Sequence, residues 1–145
     1  MKEDSQVSPP VGVVLVTHAD YGAMLLKAAE YIVGPQQHCR AVSVDITSEV
    51  GQTLEVLTQA VKDVDQGAGV IILTDMFGGT PTNMSLSLLG THHLEVLTGA
   101  NLPMLIKILS SRGRPLEQLA AEAKTAGVQG IVMAGEVLRK KVSGE

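Results

Sequence analysis

One cysteine, one phenylalanine and no tryptophan occur among the 145 residues. Cys39 has no partner, which excludes an intramolecular disulfide and any cysteine-based zinc cluster and fits a reducing compartment. Aromatic side chains make up 2% of the chain, so there is no stacking platform for single-stranded nucleic acid and the core must be aliphatic. Basic residues are the minority, 11 against 15 acidic ones, for a net charge of -4. Such a chain has no electrostatic footprint for gripping phosphate backbones, so nucleic acid is not an expected partner. No run of about 18 apolar residues is present to span a bilayer. The polar opening decade lacks the apolar centre of a signal peptide, and a cytoplasmic location is expected.

What is present is a 45% hydrophobic content, enough for one domain around one core. Residues 1–10, with Pro9 and Pro10, read as a flexible lead-in; residues 11–133 as the domain; residues 134–145 as a charged tail. Residues 11–16 are nearly all valine and leucine, the pattern of a strand buried on both faces of a parallel sheet. The period then changes: Tyr21, Leu25, Ala28 and Ile32 form a helical stripe that Gly34 and Pro35 end. A second strand is expected over residues 41–46, followed by a helix carrying Val50, Leu54, Leu57, Val61 and Val64. Further strands are expected over 69–74 and 94–97, with a helix over 81–89 between them. A short helix opens at Asn101 as N-cap with Pro103 in its first turn. The run from Arg112 to Pro115 breaks it, a helix follows over 116–126, and a last short strand is expected over 130–133. Alternation of this kind predicts an α/β fold: an open, mostly parallel sheet wound by right-handed crossovers, with helices on both faces. Ligand chemistry in such sheets collects at the carboxyl ends of the strands.

Two strand ends carry reactive groups. The first finishes in Thr17-His18-Ala19-Asp20, and the third runs out through Asp75-Met76-Phe77-Gly78-Gly79-Thr80-Pro81-Thr82-Asn83. If these strands are neighbours, His18 and Asp75 share one crevice. A carboxylate accepting one imidazole N–H fixes the tautomer and leaves the other nitrogen free to attack. Phosphorus fits as the electrophile, because Gly78 and Gly79 admit close backbone approach and the helix opening at Thr80 presents N–H groups to an anion. Thr17, Thr80 and Thr82 offer hydroxyls as well. Taken singly, a histidine at a strand end serves as readily in structure, Asp75 could cap a turn, and Gly-Gly-Thr-Pro is a common turn sequence. Their conjunction points to phosphoryl transfer. No Gly-Lys-Ser/Thr or Gly-x-Gly-x-x-Gly pattern follows the first strand, and no His-x-x-x-His or paired-cysteine spacing occurs, so no nucleotide, metal or other cofactor is expected. His38, His92 and His93 are read as surface residues, and Met76 and Phe77 as flanking apolar groups.

These residues resemble the enzyme IIA domain of the mannose-type branch of the bacterial phosphoenolpyruvate-dependent sugar phosphotransferase system. The resemblance rests on Val16-Thr17-His18, on Thr74 to Asn83, and on Thr98-Gly99-Ala100-Asn101-Leu102-Pro103-Met104-Leu105. It implies that His18 is phosphorylated at Nε2, with Asp75 as its orienting partner. Thr17, Gly78, Gly79, Thr80 and Asn101 would support the phosphate. The donor would be the phosphocarrier HPr, itself charged by enzyme I, and the acceptor an enzyme IIB protein; contact with a membrane would be indirect, through permease components. A homodimer is also implied, in which the last strand is antiparallel or exchanged between subunits. Many members carry glycine after the histidine, whereas Ala19 and Asp20 stand here; Asp20 is read as a cap for the first helix whose charge bears on partner choice. Two other readings share these residues. One is a receiver-like domain phosphorylated on Asp75, for which Thr17-His18 occupies the place of the Mg²⁺-holding acids. The other is the IIA-like phosphoryl-donor subunit of a dihydroxyacetone kinase.

Overall fold

The computed structural model describes residues 8–144, so residues 1–7 of the expected lead-in lie outside it. Four strands form one sheet among the described residues: β1 (Gly12–His18), β2 (Cys39–Val44), β3 (Val70–Thr74) and β4 (Leu94–Leu97). Their order is β2-β1-β3-β4 and every pairing is parallel, as alternation of strands and helices requires. Six helices connect and extend them: α1 (Tyr21–Val33), α2 (Val50–Val64), α3 (Thr80–Leu86), α4 (Leu102–Leu109), α5 (Leu116–Gln129) and α6 (Ala134–Ser143). None of them is long and apolar enough to cross a membrane.

Side chains of β1 alternate between two cores. Val13 and Leu15 join Ile71, Leu73, Leu105 and Leu119 on one face, while Val14 and Val16 join Ile72, Leu57, Val61 and Val64 on the other. Helices cover both faces, which is why the strand reads as an unbroken apolar run instead of an alternating one. Gly12 is required where β1 enters the sheet: a Cβ there would sit 2.4 Å from the carbonyl oxygen of Val64, at the end of α2.

Several boundaries differ from expectation, among them the third helix, which ends at Leu86, and the helix from Leu116, which runs on to Gln129. The second strand starts earlier and ends at Val44, because the Asp45 carboxylate accepts the Thr47 N–H at 3.0 Å and turns the chain into the loop before α2. Residues 130–133 form no strand. The Ile131 N–H bonds back to the Val128 carbonyl, and the Met133 carbonyl accepts the amides of Glu136 and Val137, so these backbone groups close local turns and never reach a sheet edge. The expected charged tail is ordered as α6 over most of its length, with none of its residues buried.

Arg112 ties the amino-terminal edge of the sheet together. Its Nε donates to the Val11 carbonyl at 2.9 Å, Nη1 to Gln37 at 2.6 Å and Nη2 to His38 at 3.0 Å, while its own carbonyl accepts the Val11 N–H at 3.0 Å. Arg112→Ala strips three carbonyls of a charged donor and is expected to lower stability by about 2–3 kcal/mol. The check is a fall in the urea midpoint at constant m-value.

Candidate functional site

Parallel pairing places the ends of β1 and β3 side by side, with Val16 opposite Thr74 as the last rung between them. His18 and Asp75 lie just beyond that rung, on the same edge. One carboxylate oxygen of Asp75, Oδ2, accepts two hydrogen bonds from His18: the backbone N–H at 2.9 Å and ring Nδ1 at 2.7 Å. The backbone bond fixes where the residue sits and the ring bond fixes how the imidazole is turned. With Nδ1 committed as donor, Nε2 carries the lone pair. The His18 side chain is 47% exposed and that of Asp75 16%. Burial pushes the Asp75 carboxyl up, but the backbone N–H, the ring donor and the ring charge of His18 together outweigh it and hold the carboxyl below its ordinary value. The second oxygen, Oδ1, is buried without a hydrogen-bond partner.

The glycine loop closes on the other side of the ring. Gly78 and Gly79 have φ of 83° and 84°, in the region that favours glycine. A Cβ on Gly79 would stand 3.6 Å from Cε1 and 3.8 Å from Nε2 of His18, so the missing side chain leaves Nε2 clear. The first helical bond of α3 runs from Asn83 N–H to the Gly79 carbonyl, so the Thr80 and Thr82 amides ahead of it, Pro81 having none, lack an intrahelical acceptor. Thr80 is exposed and lines a cleft of about 130 Å³ with His18, Val44, Ile46, Ser48 and Met84.

Other expected site residues make hydrogen bonds within the frame. Thr17 is buried, and its hydroxyl accepts the Gly22 N–H at 2.7 Å, capping α1 from the preceding strand. Thr17 therefore takes the cap expected of Asp20, whose carboxylate makes no cap bond and accepts the Ser43 hydroxyl at 3.2 Å. Asn101 caps α4 as the sequence indicated, accepting the Met104 N–H at 3.1 Å, and its amide also donates to the Gly127 carbonyl at 2.9 Å. Thr82 is buried and bonds the Met76 carbonyl and the Thr74 hydroxyl, so Thr80 alone of the three threonines faces the cleft. Ala19 adopts φ of 49°, a left-handed turn that costs a residue with a Cβ about 1 kcal/mol. His38 and His93 stand before β2 and β4, at the opposite edge of the sheet, and His92 bonds the neighbouring Thr91 hydroxyl at 2.9 Å. Met76 and Phe77 are 56% and 78% exposed.

The loop after β2 enters the site without having been expected there. Asp45 and Ile46 line both the tight cleft and a wider one of about 440 Å³ on the Ala19 and Asp20 side of His18. Its signal was positional: β2 ends on the same edge as β1, and a strand-end loop beside the reactive pair belongs to the crevice.

Comparison with known proteins finds relatives over most of the chain. Residues 12–126 match the family model described as PTS system fructose IIA component, EIIA-man. The chain is 32% identical over 133 residues to the PTS system fructose-specific EIIA component of Bacillus subtilis, covering 90% of each. It is 31% identical over 125 residues to the PTS system mannose-specific EIIAB component of Escherichia coli K12, covering 83% of this chain but only 38% of that relative's length. The mannose/sorbose specific IIA subunit of the phosphotransferase system from Enterococcus faecalis superposes with a TM-score of 0.79 at 25% identity, over 86% of this chain and 95% of that one.

Proposed function

The chain belongs to the EIIA-man family of phosphotransferase-system IIA components, and we propose that it carries the phosphoryl group on Nε2 of His18, received from phospho-HPr and passed to an enzyme IIB protein. One observation carries the reading: a single carboxylate oxygen holds both the backbone and the ring of His18, leaving Nε2 unencumbered beside a glycine. In the forward step the Nε2 lone pair forms the new N–P bond as the donor's N–P bond breaks, and the donor imidazole leaves with that electron pair. The positive charge gained by the His18 ring is met by the Asp75 carboxylate across Nδ1–H. The exposed Thr80, through its amide and hydroxyl, supplies donors to the equatorial oxygens. Return of the group to an acceptor nitrogen or sulfur is the same displacement reversed.

The test uses labelled phosphoenolpyruvate with enzyme I and HPr. The expected product is a label on the peptide carrying His18, stable in alkali and lost in acid. An alkali-labile label would mean an acyl phosphate on Asp75 and a receiver-like domain. Delivery of the His18 label to a nucleotide-bound kinase subunit in place of an enzyme IIB protein would favour the dihydroxyacetone kinase relative.

The reading includes a homodimer. Its support is the apolar stretch Ile131, Val132 and Met133, 58–77% exposed, together with β4 as a free edge of the sheet. Light scattering should return twice the chain mass for the wild type and the single mass for a folded Val132→Glu protein. A single mass for the wild type would remove the dimer.

A further inference from the structure

Beyond Val16 and Thr74 no rung joins β1 to β3, yet His18 and Asp75 must meet beyond that point. A second tie spans the gap. Tyr21, the first residue of α1, donates its hydroxyl to the Ala100 carbonyl at 2.7 Å, and the Ala100 N–H donates to the Thr74 carbonyl at 2.9 Å. Thr74 immediately precedes Asp75, and Tyr21 stands three residues after His18. The contacts close into a circuit: His18 to Tyr21 along the chain, Tyr21 to Ala100 to Thr74 by hydrogen bonds, Thr74 to Asp75 along the chain, and Asp75 back to His18. Ala100 is buried and follows Gly99, whose φ of 76° turns the strand tip, so its carbonyl is a fixed anchor rather than a mobile one.

We infer that Tyr21 is a positioning residue for phosphoryl transfer: its hydroxyl braces the two strand tips so that Asp75 stays aligned on His18. The inference rests on the proposed role of His18 but not on which proteins donate and accept. Tyr21 hydrogen-bonds neither His18 nor Asp75; it acts through Ala100 and Thr74. The dyad's own bonds could close without it, but the tip of β3 would then swing on one tie where it now has two. A looser carboxylate lets the imidazole exchange Nδ1–H for Nε2–H, and the Nε2–H form has no lone pair aimed at phosphorus. The phenol makes one hydrogen bond, so its removal by Tyr21→Phe costs the transfer step about fivefold.

The experiment pairs kinetics with nitrogen NMR on Tyr21→Phe, which keeps the aromatic ring and its packing. The turnover rate of transfer from phospho-HPr should fall about fivefold with KM unchanged, and the His18 ring nitrogens should report a raised share of the Nε2–H tautomer. A melting temperature within a few degrees of wild type shows that the fold is intact; a Tyr21→Trp protein, which keeps an aromatic ring but cannot place a hydroxyl at Ala100, should repeat the tautomer change. Wild-type tautomer ratios in Tyr21→Phe would overturn the brace whatever the rate does, as would a loss confined to KM. The NMR arm needs no phosphoryl donor. Failure of wild-type protein to label on His18 sinks the proposed function while the tautomer measurement still decides whether Tyr21 acts on the pair.

Discussion

His18→Ala should accept no phosphoryl group from phosphoenolpyruvate, enzyme I and HPr under conditions that label the wild type to completion. The expectation is a full loss because the remaining histidines cannot substitute. His38 and His93 are at the other edge of the sheet, and His92 is bonded to Thr91, away from the glycine loop and the amides of α3. Removing the ring leaves the frame intact: the His18 backbone N–H still meets Asp75, and a half-exposed imidazole contributes little to the core. The variant should therefore keep the wild-type circular dichroism spectrum while its labelling falls to background. Label retained on any other residue would end the assignment of His18 as the carrier.

Much of this architecture could be read from the chain because each signal had one physical cause. The unbroken valine and leucine run of β1 exists because both of its faces are covered, and that burial forces parallel pairing. Once β1 and β3 are neighbours, His18 and Asp75 must share an edge, so the pair was legible before any distance was known. Residues with interchangeable jobs were not. Thr17, Asp20, Thr80 and Thr82 all carry an oxygen near a helix start, and only packing decides which one caps, which one bridges strands and which one faces the cleft. Residues 130–133 failed for a different reason. Apolar, β-prone sequence specifies a strand only where a neighbour offers its hydrogen bonds, and within this chain the backbone there closes on Val128 and on α6 instead. Tyr21 was visible only as part of a helical stripe, since periodicity reports the buried face of a side chain and says nothing of the carbonyl its hydroxyl reaches.

Asp75→Ala and Asp75→Asn separate the two services of the carboxylate. Alanine removes the acceptor for both His18 donors and the charge that faces the phosphorylated ring. A hydrogen bond to a charged group contributes about 1.5–3 kcal/mol, so transfer should slow by on the order of 10²-fold. Asparagine can place its amide oxygen where Oδ2 stands, keeping both donors satisfied, and bury its NH₂ where Oδ1 already lacks a partner. Orientation then survives and charge does not, so the loss should be smaller, about tenfold; equal losses in the two variants would mean that charge, not geometry, is what Asp75 supplies. Acid titration gives an independent check. The Asp75 carboxyl lies below its ordinary value in the folded protein. Its stabilising contribution is therefore fully present above the unfolded carboxyl value of about 3.9 and disappears as pH falls through the lower folded value. Urea unfolding should show the stability gap between wild type and Asp75→Asn closing as pH falls below about 4. A gap that persists unchanged to the lowest pH would mean that the folded carboxyl is not held below its unfolded value.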